Sequence, residues 1–176
     1  MNDVIIIGKG PAGISAALYT IRANLKTLII GLNDSTLHKA DMIENYYGFP
    51  QPISGRQLLE NGEKQALRLG GKILNEEVIG IEKEDVFVVK TVKGSYRALS
   101  VLIAAGQKTA DVKIKNLNKF EGKGISYCTT CDGFFYRGRK VGVLGYKDFA
   151  LHEAIELIPF TNNITIFTNG RSPEFS

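Results

Sequence analysis

The chain has 176 residues, of which 44% are hydrophobic, and its 22 basic and 18 acidic residues give a net charge of +4. This composition is that of a globular protein with a buried core, and it suits one ordinary domain or two small ones. The sequence has no apolar run of about 18 residues that would span a membrane, no interleaving of basic and aromatic residues typical of nucleic-acid binding, and no signal-peptide pattern, so we expect a cytoplasmic protein that binds neither membranes nor nucleic acid.

The first thirty residues predict a βαβ unit. Residues 4–7 form an apolar run typical of a parallel strand buried on both faces, residues 11–23 have helical composition with Pro11 in the first turn, and residues 27–30 form a second buried strand. A polar segment without a clear period follows over residues 31–52 and predicts a long loop.

The rest of the chain predicts further strands and a second βαβ unit. We expect a helix over residues 57–69, then strands over 78–82, 86–92, 95–97 and 99–105. A strand over 140–144, a helix over 149–157 and a strand over 163–167 repeat the opening pattern. The expected fold class is therefore α/β, with two Rossmann-like, three-layer units of which the second is incomplete, in domains 1–112 and 113–176.

The segment GKGPAG, residues 8–13, places the pattern GxGxxG between a predicted strand and a predicted helix. In this pattern Gly8 serves a tight turn, Gly10 allows close approach of a pyrophosphate, and Gly13 lets the helix pack on the strand. The acidic residue expected about 20 positions later is absent, and Asp34 is the nearest carboxylate. The motif predicts a dinucleotide without specifying which one.

The segment SYCTTCDGFF, residues 126–135, contains both cysteines of the chain. A pair with this spacing can be half of a zinc site, a structural disulfide or a redox-active dithiol. Only His38 and His152 remain as further soft ligands, which disfavours zinc, and a reducing compartment disfavours a structural disulfide. A redox role requires a proton donor for the departing thiolate, and Asp132 can fill it.

With both motifs in view, the sequence resembles the low-molecular-weight thioredoxin reductases. The resemblance is carried by GKGPAGISAALYTIRAN (8–24), ENYYGFPQPISGRQL (44–58), LIAAGQK (102–108) and CTTCDGFFYRGRKVGVLG (128–145). It implies that the first unit binds FAD and that the protein forms a homodimer. The residues implied to contact FAD are Gly8, Lys9, Gly10, Pro11, Ala12, Gly13, Leu37, Asn45, Val78 and Gly106.

The resemblance also implies roles for the dithiol. Cys131 would face the flavin, Cys128 would exchange with the disulfide of a thioredoxin-like protein, and Asp132 would be the acid. No metal site is expected.

The second glycine loop departs from that family. Its aligned segment is GYKDFA, residues 145–150, in which Lys147 replaces the middle glycine and Asp148 adds a carboxylate that would repel phosphate. The family's cluster of arginines after the next strand is reduced to Arg171. We therefore expect the electron donor to be ferredoxin, as in the ferredoxin-dependent flavin thioredoxin reductases, rather than NADPH.

Three alternatives remain open at this stage. The protein could be an NADPH-dependent reductase with a divergent loop, a flavin dithiol oxidase, or an inactive flavin-binding fragment. The last arises because the chain ends at RSPEFS, before the family's closing flavin-binding segment.

Overall fold

The computed structural model describes residues 1–106 and 114–176. The chain forms two compact units, Met1–Lys113 and Ile114–Ser176. The predicted boundary between residues 112 and 113 lies outside the described residues and stays a prediction. Among the described residues, no helix combines the length and the apolar character needed to cross a membrane.

The first unit is a mixed α/β fold. Its helices and strands are β1 (Asn2–Ile7), α1 (Pro11–Arg22), β2 (Thr27–Ile30), α2 (Gly55–Arg68), β3 (Lys72–Leu74), β4 (Val78–Lys83), β5 (Phe87–Thr91) and β6 (Ser95–Ile103). A 3₁₀ helix, Thr36–Lys39, lies between β2 and α2.

Six strands form one sheet in the order β3-β2-β1-β6-β5-β4. The strands β3, β2, β1 and β6 run parallel, with Ile5 opposite both Leu28 and Val101. β5 pairs antiparallel with β6 and with β4. The α/β fold class predicted from the sequence is thus confirmed.

The apolar runs of β1 and β2 are buried on both sides, as predicted. On one face, Ile6 and Ile29 pack with Ile14 and Ala17 of α1 and with Ala66 of α2. On the other face, Ile5, Ile7, Leu28 and Ile30 pack with Val89 of β5 and Ala98 of β6. Each fully buried isoleucine contributes about 1.5–3 kcal/mol, so this packing fixes the central strands and the positions of their ends.

Local signals set the ends of the two long helices. Pro11 occupies the first turn of α1, where its missing N–H costs nothing. The Ser54 hydroxyl caps α2 by accepting a hydrogen bond from the Gln57 N–H. Asn24 and Gly70 then follow α1 and α2 in the left-handed conformation, which stops each helix.

The second unit contains a small parallel sheet and three helices. β7 (Val141–Leu144) pairs in parallel with β8 (Ile164–Phe167), and α5 (Asp148–Leu157) connects them as the sequence predicts. Two short helices precede them, α3 (Leu117–Phe120) and α4 (Thr129–Asp132), and a 3₁₀ helix, Gly133–Tyr136, follows α4.

Two of the predicted strands were wrong in their bounds, and one was missed. Residues 95–97 and 99–105 were predicted as separate strands, but β6 runs without a break from Ser95 to Ile103. Its first residues pair with β5 and its last with β1, so one strand serves two partners. β3 was not predicted, because three residues between Gly71 and a polar segment carry no measurable period.

Candidate functional site

The glycine loop turns directly from β1 into α1. Gly8 has a φ of 109°, and a Cβ atom there would lie 2.1 Å from the Ala104 carbonyl oxygen. A Cβ on Gly13 would lie 1.9 Å from the Gly8 carbonyl oxygen. By contrast, the nearest atom to a Cβ on Gly10 would be the Ser35 hydroxyl oxygen at 3.8 Å. Gly8 and Gly13 are therefore required by packing, whereas Gly10 leaves open space in front of its backbone.

That space belongs to a cavity of about 710 Å³. Its walls include the segments that follow the carboxyl ends of β1, β2, β3 and β6, at residues 8–12, 31–32, 34–36, 76–78 and 104–106. In open parallel sheets ligands bind outside these strand ends. The cavity opens beside the first turn of α1, where unpaired N–H groups favour an anion.

The predicted contact residues divide into two groups. Those that line the cavity are Gly8, Lys9, Gly10, Pro11, Ala12, Val78 and Gly106. Gly13, Leu37 and Asn45 do not line it. The Leu37 carbonyl oxygen lies where a Cβ on Gly55 would clash, at 1.8 Å, so Leu37 closes the 3₁₀ helix against the start of α2. Asn45 is exposed in the loop before α2.

Sequence reasoning missed the acidic wall of the cavity. Glu76 and Glu77 line it directly after β3. Glu76 is buried, and its carboxylate accepts hydrogen bonds from the hydroxyls of Thr91, at 2.7 Å, and Tyr96, at 3.3 Å. The pKa of Tyr96 is raised, mainly by burial and to a lesser extent by the charge of Glu76. If β3 had been predicted, Glu77 would have been a candidate site residue, because polar residues that follow the carboxyl end of a parallel strand often contact ligands.

Lys9 is the one charged residue inside the glycine loop. Its side chain is 7% exposed, and its Nζ lies 3.1 Å from the Glu63 carboxylate of α2. A buried ammonium group needs such a partner. The ion pair therefore attaches the loop to α2.

In the second unit, Cys128 and Cys131 form a disulfide with their Cα atoms 5.3 Å apart. Cys128 precedes α4, and its Sγ accepts a hydrogen bond from the Cys131 N–H at 3.2 Å. Cys128 is half-buried and Cys131 is exposed. The disulfide is therefore accessible from solution at Cys131.

Asp132 directly follows the disulfide. The Ser126 hydroxyl donates a hydrogen bond to its carboxylate, which fixes the orientation of the side chain. Burial, followed by the charge of Asp132, raises the pKa of Tyr136. Tyr136 is therefore neutral beside the carboxylate, and Asp132 follows Cys131 directly in the chain.

The turn that carries the cysteines is held from α5. The Thr129 N–H donates to the Glu153 carboxylate at 2.9 Å, and the Thr130 hydroxyl donates to the Glu156 carboxylate at 3.1 Å. On the other side of Cys128, the Tyr127 hydroxyl donates to Glu121 at 2.6 Å. The hydrogen bond to Glu121 is the main cause that raises the pKa of Tyr127 to about 12.

The second glycine loop is occupied by its own side chains. Lys147 Nζ lies 3.1 Å from the Glu174 carboxylate, and the Asp148 carboxylate accepts the Ser176 N–H at 2.7 Å. The Arg171 guanidinium lies over the Tyr146 ring, 4.7 Å from its centroid, and donates to the Tyr146 hydroxyl. The two cations of this region, Lys147 and Arg171, thus each contact another side chain of the second unit.

Comparisons with known proteins agree on one family. Residues 2–172 match the family model described as pyridine nucleotide-disulphide oxidoreductase. The chain is 44% identical over 170 residues to a thioredoxin reductase of Treponema pallidum, which covers 93% of this chain and 54% of that protein.

Solved structures give the same result. The crystal structure of thioredoxin reductase from Streptococcus pyogenes matches with a TM-score of 0.91 and 34% identity, covering 100% of this chain and 58% of the other. The atypical thioredoxin reductase TRi of Desulfovibrio vulgaris matches with a TM-score of 0.59 and 39% identity, covering 100% of this chain and 60% of the other. The chain thus spans a little over half the length of these relatives.

Proposed function

The chain belongs to the pyridine nucleotide-disulphide oxidoreductase family, and on this premise we propose that it supplies the flavin-binding and disulfide-carrying parts of a reductase of the thioredoxin reductase type. The observation that carries the proposal is the Cys128–Cys131 disulfide, exposed at Cys131 and followed by an acid that Ser126 orients. A structural disulfide requires neither the exposure nor the acid.

FAD is the cofactor of this proposal, and the cavity of the first unit fits part of it. The open side of Gly10 and the first turn of α1 suit a diphosphate. Asp34 and Glu77 line the same cavity, and their carboxylates suit ribose hydroxyls. Gly8, Lys9, Pro11, Ala12, Val78 and Gly106 would complete this contact, with Gly13 supporting the loop from behind. Leu37 and Asn45 remain proposed contacts to the rest of the cofactor.

The chemistry assigned to the chain is a thiol-disulfide relay. Bound FAD, once reduced by the electron donor, would supply the electron pair that reduces the disulfide. Cleavage of the S–S bond takes up two electrons and two protons, and Asp132 would donate a proton to the thiolate formed beside it and take a proton back from the thiol when the disulfide closes again. Cys128 then attacks the disulfide of a thioredoxin-like protein, and Cys131 resolves the mixed disulfide, which returns the pair to its oxidised form.

Anaerobic titration of the flavoprotein with dithionite tests this proposal. The wild-type protein should consume twice the reducing equivalents of a Cys131→Ser variant, because only the wild type has both a flavin and a disulfide to reduce. Equal consumption by the two proteins, or a colourless protein after reconstitution with FAD, would overturn the proposal. The second result would favour the inactive flavin-binding fragment instead.

The electron donor that we propose is ferredoxin. The contacts of Lys147 with Glu174 and of Arg171 with Tyr146 support a donor other than NADPH, since both cations are engaged within the loop region. The family's description names a pyridine nucleotide, so NADPH is the alternative donor. Addition of each donor to the oxidised flavoprotein decides between them: bleaching of the flavin by stoichiometric NADPH would contradict ferredoxin.

Two further properties belong to the same proposal. We propose a homodimer, which sedimentation should detect as twice the chain mass of 19.3 kDa. A flavin dithiol oxidase would instead consume oxygen rapidly with small dithiols and turn over thioredoxin poorly, so an oxygen electrode distinguishes the oxidase from the reductase.

A further inference from the structure

Glu153 of α5 contacts the backbone of the dithiol turn. Its carboxylate accepts the Thr129 N–H at 2.9 Å, and its own carbonyl accepts the Thr129 hydroxyl at 3.3 Å. Thr129 is buried and lies directly after Cys128 in the chain. A single residue of α5 therefore takes both hydrogen-bond donors of the residue beside the half-buried sulfur.

This contact places a negative charge at the start of α4. A cysteine thiolate at such a position is normally favoured by the free backbone N–H groups of the first turn. Here one of those N–H groups, that of Thr129, is already bound to a carboxylate. The Cys128 sulfur instead accepts the Cys131 N–H, so the effect of the Glu153 carboxylate on a thiolate at Cys128 is electrostatic repulsion.

The neighbouring carboxylate on α5 is bound differently. Glu156 accepts the hydroxyl of Thr130 at 3.1 Å, a side-chain contact on the exposed face of the turn. His152 lies 3.7 Å from Glu156 and brings three ligand-type side chains within 4.8 Å of one another. Both carboxylates already accept hydrogen bonds from α4, so we assign them a role in holding the dithiol turn rather than in binding a metal ion.

The charge at Glu153 has a consequence for the redox equilibrium. Stabilising the thiolate of a cysteine pair favours its reduced form and makes the disulfide more oxidising. A carboxylate beside the thiolate has the opposite effect. Resting on the proposed function, we propose that Glu153 is a positioning residue that fixes α4 and makes the Cys128/Cys131 dithiol a stronger reductant towards its partner.

The equilibrium with dithiothreitol at about pH 10, where cysteine thiols with an ordinary pKa of about 8.5 are mostly thiolates, measures this property without the flavin. Reduction breaks the Cys128–Cys131 bond and leaves two protein thiols, while the two thiols of the reagent lose two electrons and two protons and close into a disulfide. Thiol alkylation followed by mass spectrometry gives the oxidised and reduced fractions of the full chain.

Glu153→Gln keeps the acceptor for the Thr129 N–H and removes the charge. The equilibrium constant for reduction should rise about tenfold, the size expected for one nearby charge. Glu153→Asp keeps the charge and should stay within about threefold of the wild type. Glu156→Gln is the matched control, because it makes the same charge change one turn away without touching the backbone of α4, and it should also stay within about threefold.

The redox equilibria of these variants decide whether the inference holds. A wild-type equilibrium constant in Glu153→Gln, or an equal rise in Glu156→Gln, overturns the inference. If Glu153→Gln fails to fold, as judged by circular dichroism, Glu153→Ala takes its place and should shift in the same direction. A wild-type pair that cannot be reduced and reoxidised reversibly contradicts the proposed function itself, which separates the two failures.

Discussion

A neighbouring hydroxyl, that of Ser126, orients Asp132. The Ser126 hydroxyl donates to the Asp132 carboxylate, and the same oxygen accepts the Cys128 N–H at 3.2 Å. Ser126 thereby links the acid to the backbone of the first cysteine. Proton transfer to a leaving thiolate requires such a fixed geometry.

Replacement of Ser126 by alanine should therefore slow thiol exchange. We expect the rate of reduction of a small aromatic disulfide by the reduced protein to fall about threefold to tenfold, because Asp132 loses its orienting donor. Stopped-flow absorbance measures the rate. Ser95→Ala, at the exposed start of β6, is the control, and equal rates in Ser126→Ala and wild type would remove Ser126 from the mechanism.

The pKa of Tyr127 tests the hydrogen bond between Tyr127 and Glu121, on the other side of the turn that carries the cysteines. The hydrogen bond to Glu121, with burial and the charge of Glu121 as lesser causes, raises this pKa to about 12. Glu121→Gln removes the charge that opposes the phenolate, so the pKa should fall towards the ordinary value of 10.0.

An alkaline titration of the tyrosine ring carbons by NMR reports this shift. The pKa of Tyr127 should be unchanged in Glu84→Gln, a variant in the turn between β4 and β5. If Tyr127 titrates identically in Glu121→Gln and wild type, the hydrogen bond does not control its ionisation.

At the scale of elements, two glycines of the β1–loop–α1 segment have different roles: Gly13 is needed for packing, and we expect Gly10 to be needed for binding. A Cβ on Gly13 would clash with the Gly8 carbonyl, whereas a Cβ on Gly10 has room. Gly13→Ala should lower the free energy of unfolding by about 1–3 kcal/mol through overpacking. Gly10→Ala should leave the fold intact and weaken FAD binding, because the methyl group fills the space in front of the loop.

Urea unfolding and flavin content measured on both variants check this contrast. The expected pattern is a stability loss confined to Gly13→Ala, together with a flavin loss in Gly10→Ala at wild-type stability. Full flavin content in Gly10→Ala would show that the diphosphate does not pass in front of this glycine.

The same elements show what sequence reasoning could and could not predict. The strands at residues 4–7 and 27–30 were correct because their apolar runs are buried on both faces, and Pro11 marked the start of α1. The helix predicted over residues 57–69 begins two residues earlier, at Gly55, because the cap Ser54 was not used as a signal. The cavity wall at Glu76 and Glu77 was missed because β3 has only three residues. The contacts of Glu153 with Thr129 could not be predicted, since they join residues 24 positions apart that no local pattern relates.

At the scale of the whole molecule, the chain contains two strand–loop–helix segments with different loops. The first has open space at Gly10, and the second has Lys147 at the corresponding position, bound to Glu174. The hydrogen bond with Glu174 is the main cause that raises the pKa of Lys147. The lysine is therefore charged at neutral pH, in an ion pair that is exposed to solvent.

A double variant should test whether that difference controls donor use. Lys147→Gly with Asp148→Asn removes the ion pair and the carboxylate that faces an incoming phosphate. If these side chains block the nucleotide, NADPH should bleach the flavin at least about tenfold faster than in the wild type, since one unfavourable charge contact is removed. Wild-type rates would instead indicate that donor choice resides elsewhere in the protein.

The unbroken strand β6 has a consequence for backbone opening. Ala98 is opposite both Phe87 of β5 and Asn2 of β1, and the strand continues to the cavity wall at residues 104–106. We therefore expect the amide protons of β5 and β1 to exchange as one cooperative opening unit. Ligand bound in the cavity would slow hydrogen exchange not only around Gly8 but also across β5, which does not itself line the cavity.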